Sequence, residues 1–322
     1  MKKYNILKIG VVAFIIILPL SCQKSNKSLQ IEKSCNSNYA TVNYIVDPSN
    51  NLNELDFVGQ LHNECLDIQA NVLIDAMHNG ISQSDAKQLI KTLTAQKLNS
   101  YFKSSINADN LTFTDNFKEY QISNEKLTEK SDPIGFLRQK NALSENIANL
   151  FILARQSIKP NLDSINTLTI NVKHTVNNAI NKLKEIELNN IHNASFSAEE
   201  QTQIKIFFSV LRHSIVYHIT NATNEKSPWA IMFQKSEAQK SIIYQKTWQF
   251  LNGFMIYADW TDIGVQDGIW GVSGGGAGSY GGLGGALVGA IFGCAGGSAS
   301  ALWTQMNAGG VIIIAWGVVL WP

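Results

Sequence analysis

Residues 197–219 read SAEEQTQIKIFFSVLRHSIVYHI, and this stretch predicts a helix with an apolar face. Ser197 and, three positions on, Glu200 form a capping box, in which each side chain takes up a backbone N–H at the helix start. Ile204, Phe207, Phe208, Leu211, Ile215 and Ile219 then recur at helical spacing. Ser227-Pro228 breaks the pattern, and a further helix is expected from about Trp229 to Tyr257. Upstream, Leu55, Val58, Leu61, Leu66, Val72, Leu73 and Met77 lie on one helical face that Asn79-Gly80 closes. Ser82 and Asp85 resemble a cap for a helix from Ala86 to Tyr101. Asp132-Pro133 opens another, carrying Leu137, Leu143, Ile147, Leu150, Phe151 and Ile158 up to Pro160, and Leu162 to Ile191 is a long amphipathic stretch. Only the short segment Asn110 to Gln121 has room for a strand. The expectation is an all-α protein: a bundle of five to seven helices over residues 52–262, followed by a glycine-rich apolar helical hairpin over residues 263–322.

The final segment differs in kind from the bundle. Eighteen of the 23 glycines lie between Gly264 and Gly317, and no Asp, Glu, Lys or Arg follows Asp267. Gly281, Gly285, Gly289, Gly293 and Gly297 recur every fourth residue, beside a second row of Gly274, Gly278, Gly282, Ala286, Ala290, Cys294 and Ser298. On a helix such rows stack into a flat groove where a second helix can approach closely, the small-xxx-small packing of membrane helices. Leu283, Leu287, Val288, Ile291 and Phe292 occupy the opposite face. A helix from Ala277 to Trp303 is about 40 Å long, enough to cross a bilayer. Val311 to Trp321 reaches only about 16 Å and would be re-entrant or packed back on the zipper. Trp270, Trp303, Trp316 and Trp321 flank these segments as interfacial tryptophans do. A soluble glycine-rich hairpin buried against the bundle is the competing expectation.

The amino terminus reads as an address. Lys2, Lys3 and Lys8 precede the apolar run Ile9 to Leu20, which closes on Ser21-Cys22, so residues 1–21 have the layout of a signal peptide. Leu18-Pro19-Leu20-Ser21-Cys22 resembles a bacterial lipobox, although Pro19 and Leu20 depart from its usual residues; the resemblance implies lipidation of Cys22. Residues 22–51, rich in Ser and Asn, then serve as a flexible tether. Of the other cysteines, Cys35 and Cys65 are a candidate disulfide in an exported protein, and Cys294 is a small spacer in the zipper row.

Charge and motif narrow the function classes. With 26 basic against 25 acidic side chains the chain has no basic excess for nucleic acid. Removal of three signal lysines leaves 23 basic side chains, so anionic lipid is not captured by charge. His62 and Glu64 are the one pair that could serve acid–base chemistry, and a surface or structural role is the commoner fate of such a pair. His213 and His218 are five apart and point to different helical faces, poor for one shared metal. Arg155 and Arg212, isolated in apolar helices, call for interhelical ion pairs. No nucleophile elbow, zinc-protease helix, phosphate loop or dinucleotide turn occurs, and no metal, cofactor or catalytic residue is expected.

Asp56-x-x-Gly59-x-x-His62-Asn63-x-x-Leu66, following Asp47-Pro48, resembles the opening of uncharacterised exported proteins of Bacteroidota-type bacteria, several of which also end in a glycine-rich apolar tail. Cys65 stands where that pattern has glycine. The tail itself resembles the glycine zippers of bacterial surface lipoproteins and of bacteriocin-type peptides. These resemblances imply an exported, membrane-anchored protein, at the outer membrane or cell surface, and name no activity. The expected function is a non-enzymatic cell-envelope lipoprotein whose zipper inserts into a bilayer or joins copies of the chain. The alternatives are a bacteriocin-like permeabilising toxin, and a helical ligand-binding or enzymatic domain using His62 and Glu64.

Overall fold

The computed structural model describes residues 43–79, 83–102, 133–139, 143–166, 171–224 and 259–278. These form seven α-helices with no strand among the described residues. They are α1 (Phe57–Asn79), α2 (Gln83–Phe102), α3 (Pro133–Gln139), α4 (Glu145–Asp163), α5 (Val172–Leu188), α6 (Ala198–Thr223) and α7 (Trp260–Gly278), with a 3-10 turn at Ser164–Asn166. The segments Asn110–Gln121, Trp229–Tyr257 and the zipper glycines from Gly281 onward lie outside the described residues, as do Cys22, Cys35 and Cys294.

The centre of the bundle is α6, begun by the expected capping box: Ser197 N–H donates to Glu200 Oε2 at 2.8 Å and Glu200 N–H to Ser197 Oγ at 3.2 Å. From Ile206 to Asn221 every residue of α6 is buried, so partners surround it. α1 runs parallel to it, because Asp56, Asn63 and Asp67 meet Ser209, His213 and Tyr217 in turn. α7 runs the other way, with Gly264 against Leu211 and Ile215 and Gly268 against Phe207. α4 is antiparallel to α7 through Arg155–Asp262 and Lys159–Asp259, and its Phe151 stacks on Phe207. α5 packs on both α4 and α6, while α2 lies on α1.

Three boundaries differ from the sequence expectation. The helix expected from Pro133 to Pro160 is two, because Ser144 caps α4 by accepting from Ile147 N–H at 3.3 Å. Pro160 sits inside the last turns of α4, where buried Ile158 and Leu162 hold the helix through to Asp163 despite the missing donor. Asn171 likewise starts α5 partway along the stretch read as one from Leu162. The tether read through residue 51 is folded from residue 43 onward. Ile45 N–H donates to Thr220 Oγ1 at 3.2 Å and Asn53 Nδ2 to Lys205 O at 2.8 Å, so this strap descends α6 antiparallel to it. Finally, the bundle was expected to end at residue 262, yet α7 continues through Gly278 with Ile263, Val265, Ile269 and Val272 in the core. No helix among the described residues is long and apolar enough to cross a membrane.

Two kinds of glycine contact make these packings close. A Cβ on Gly59 would lie 2.5 Å from the Ser209 backbone oxygen, whereas one on Gly264 would meet the Ile215 side chain at 2.6 Å. The Ser209 backbone does not give way, whereas the Ile215 contact is to the Cγ1 of a β-branched side chain, which gives way in part. Gly59→Ala is expected to cost about 3 kcal/mol in urea unfolding even after the gain in helix propensity, and Gly264→Ala less, about 1–2 kcal/mol. Equal losses would contradict this account of α1 on α6.

Candidate functional site

Among the described residues, buried ionisable and polar side chains gather in two linked clusters between α1, α5, α6, α7 and the strap. The first is built on Arg212, fully buried on α6. Its Nε and Nη2 donate to Glu187 Oε2 and Oε1, each at 3.1 Å, and Nη2 also donates to Asp56 Oδ1 at 2.5 Å. Nη1 donates to the Pro48 carbonyl of the strap. Glu187, on the last turn of α5 and equally buried, accepts in addition from Asn50 Nδ2 and Asn53 Nδ2, both at 2.6 Å. Four donors thus fill the carboxylate's acceptor sites. Asp56 also faces His213 Nε2 at 3.2 Å and accepts Asn50 N–H at 3.1 Å. Burial alone would raise its carboxyl; the His213 hydrogen bond and the Arg212 charge outweigh it and hold Asp56 below its ordinary value.

The second cluster surrounds Asp267 of α7. Ser214 Oγ donates to its Oδ2 at 2.5 Å, His218 Nε2 lies 3.4 Å from the same oxygen and His62 Nε2 3.9 Å. All four side chains are buried. Burial pushes the His62 imidazole down to about 4, against the smaller opposing pull of Asp267, so His62 is neutral at pH 7. Its Nδ1 is 3.0 Å from Asn63 Oδ1, and Asn63 Nδ2 donates to Tyr44 OH at 3.2 Å and to the His213 carbonyl at 3.1 Å. One turn farther along α1, burial lifts Asp67 to about 6, although the Tyr217 hydroxyl donates to it at 2.8 Å.

Each residue of the Asp56-x-x-Gly59-x-x-His62-Asn63 pattern therefore touches α6 or α7. Asp56 binds Arg212 and His213, Gly59 lets α1 sit against Ser209, His62 reaches Asp267, and Asn63 joins His213 to Tyr44. His62 and Glu64, the candidate acid–base pair of the enzymatic alternative, do not meet. Two residues apart on a helix, they point in opposite directions, and Glu64 is held outward by Lys97 at 2.5 Å and Gln60 at 2.9 Å. His213 and His218 go to different clusters, as their spacing requires, and Arg155 makes an interhelical pair with Asp262 at 2.6 Å. Among the described residues Cys65 has no disulfide partner, Cys35 lying outside them, and burial holds its thiol proton up to about 12. Asp267, Ser214, Glu187, Asp67 and Tyr217 were not foreseen. Asp267 alone carried a signal, as the last formal charge before 55 uncharged residues.

Serine, histidine and aspartate meet here, but not in the order of a nucleophilic triad. Ser214 gives its proton to Asp267 and not to an imidazole, so no base is set to activate it. Among the described residues no group of three or more His, Cys, Asp or Glu side chains is arranged to hold a metal ion. Comparison with protein families, characterised proteins and solved structures finds nothing that matches this chain.

The two shifted groups of α1 act oppositely on stability. His62, depressed when folded, contributes stability that is complete above about 6.5 and lost as pH falls towards 4. Asp67, raised when folded, contributes stability complete below 3.8 and lost as pH rises through about 6. Each spans about 3 kcal/mol, so they nearly cancel between pH 6 and 4. His62→Gln should gain about 3 kcal/mol on the wild type between pH 6.5 and 4, and Asp67→Asn should lose a similar amount, in urea titrations at each pH. Arg212→Met, which strands Glu187 in the core, is expected to cost about 3–5 kcal/mol at pH 7.

Proposed function

We propose that this chain is a non-enzymatic, exported envelope lipoprotein, anchored at Cys22, whose helical bundle carries a glycine zipper for insertion into a bilayer or for helix association. The observation that carries the reading is at α7. Gly264 and Gly268, four residues apart, already bring this helix against α6, and the same four-residue spacing governs Gly281, Gly285, Gly289, Gly293 and Gly297 downstream. The helix that leads into the charge-free segment is thus itself packed by small residues. The clusters around Arg212 and Asp267 support a structural role for the bundle, because most of their polar atoms bond to one another and lie largely away from solvent. Anchorage at Cys22 and the envelope location rest on the lipobox resemblance and the signal layout. Partners are the bilayer and a second copy of the chain.

The test uses the mature chain with Cys22→Ser, so that only the tail can bind, beside the same protein carrying Gly289→Leu and a form ending at Gly278, which keeps α7 whole. Flotation with phosphatidylethanolamine and phosphatidylglycerol liposomes should require the residues after 278 and fall at least tenfold with Gly289→Leu. Binding without dye release supports the envelope scaffold, and tail-dependent release would replace it with the permeabilising toxin. A full chain that neither floats nor releases dye, and stays monomeric in sedimentation, overturns the reading.

A further inference from the structure

Beside its apolar core residues Ile263, Val265, Ile269 and Val272, α7 is tied to the bundle by acidic residues. Asp259 pairs with Lys159 and Asp262 with Arg155, both at 2.6 Å and part-exposed, and Asp267 enters the core. Seven of the nineteen residues of α7 are glycine, so the helix has poor propensity of its own and depends on its docking. Inside, Asp267 is faced by Ser214 and His218 from α6 and by His62 from α1. His62 in turn is faced by Asn63 on its own helix, by Asp267 from α7, and by the charges His213 and His218 would carry on α6. We propose that His62, buried between α1, α6 and α7 beside Asp267, is a proton-operated latch, closed at neutral pH, whose protonation lets α7 and the chain beyond it leave while α1, α5 and α6 stay assembled.

Direction and size follow from linkage. Docked, His62 titrates at about 4; returned to water by the departure of α7, it titrates near 6.5. The released state therefore takes up a proton between these values, and the docking equilibrium falls about twentyfold from pH 7 to pH 5. Asp262 opposes this, since burial and Asp259 raise its carboxyl in the docked state, but a third of its side chain is in water and Arg155 counters the rise. Asp67 and Tyr217 lie between α1 and α6 and drop out of the balance, as do Asp56 and Arg212. A global unfolding that is nearly flat in this pH range thus coexists with a local opening that is not. The release stands apart from the envelope reading; only its consequence for a membrane rests on that reading.

Hydrogen exchange of the full mature chain at pH 7 and pH 5, corrected for intrinsic rates, tests the latch. Protection over residues 260–278 should fall about twentyfold while residues 198–223 keep theirs, and His62→Gln should hold the α7 change below about threefold. Where the Gln variant lacks α6 protection at pH 7, His62→Asn replaces it. Retained α7 protection at pH 5, loss of α6 protection in step with α7, or a wild-type response in the variant each overturns the proposal. Release at pH 5 without liposome binding would uphold the latch and remove the membrane role of the tail; binding whose pH profile ignores His62 would do the reverse.

Discussion

A full positive charge at the middle of a helix that is buried all round is the constraint around which this bundle is arranged. Arg212 cannot shed its proton, and leaving it unpaired in the core would cost several kcal/mol. Its donors must therefore find acceptors on whatever surrounds α6. They find them on three separate pieces of chain: the last turn of α5 supplies Glu187, the start of α1 supplies Asp56, and the strap supplies the Pro48 carbonyl. None of these pieces is close to Arg212 in sequence on the N-terminal side, so the pairing closes the fold only when all three have arrived. The same cluster explains why residues 43–56 belong to the folded body. Asn50 and Asn53 complete the shell of Glu187, and a strap detached from α6 would leave that carboxylate short of two donors.

Apolar burial alone would not choose this register. Leu, Ile and Phe side chains tolerate a sliding of one helix past another at modest cost, whereas polar groups inside a core do not, since every shift breaks hydrogen bonds that water cannot replace. Asp56 just before α1, and His62, Asn63 and Asp67 on it, are four such groups, and each has its counterpart on α6 or α7. Gly59 adds a steric condition to the chemical ones, because only a residue without a side chain lets its N–H reach Ser209 Oγ at 2.9 Å. Specificity of packing is a sufficient use for this polar interior.

How much of this was legible in the sequence depended on range. Local signals read well: the Ser197–Glu200 box, the stop at Asn79 and the apolar faces of α1 and α6 are decided within a few residues. Boundaries set by a single cap were missed, as at Ser144 and Asn171, because the apolar spacing runs on through the break. The long-range partners were the least legible. Arg212 announced a need for an acid, but nothing in the 26 residues of α6 says that the acid is Glu187 and not another. His62 drew notice for its neighbour Glu64, when helical geometry sends the two apart and the true counterpart lies 205 positions on, at Asp267. The composition change at the tail was legible and its edge was not, since glycine content rises at Gly264 while core packing persists to Val272.

That overlap is informative about α7. Its glycines at 264 and 268 are required by the closeness of α6, whereas those from 274 to 278 continue past the last core residue there, Val272. Against alanine they weaken the helix by about 1 kcal/mol each, a burden that a helix buried for stability alone would not carry. A helix meant to dock by its small face, and to be held in place by a few polar contacts at its N-terminal half, accounts for both features. Asp259, Asp262 and Asp267 all lie in or before that half, and beyond them the chain has no charge with which to prefer water. The final carboxylate thus marks the last charged anchor of the bundle, five residues before its last core side chain at Val272: up to it side chains are specified by hydrogen bonds, and after it by size and the absence of charge.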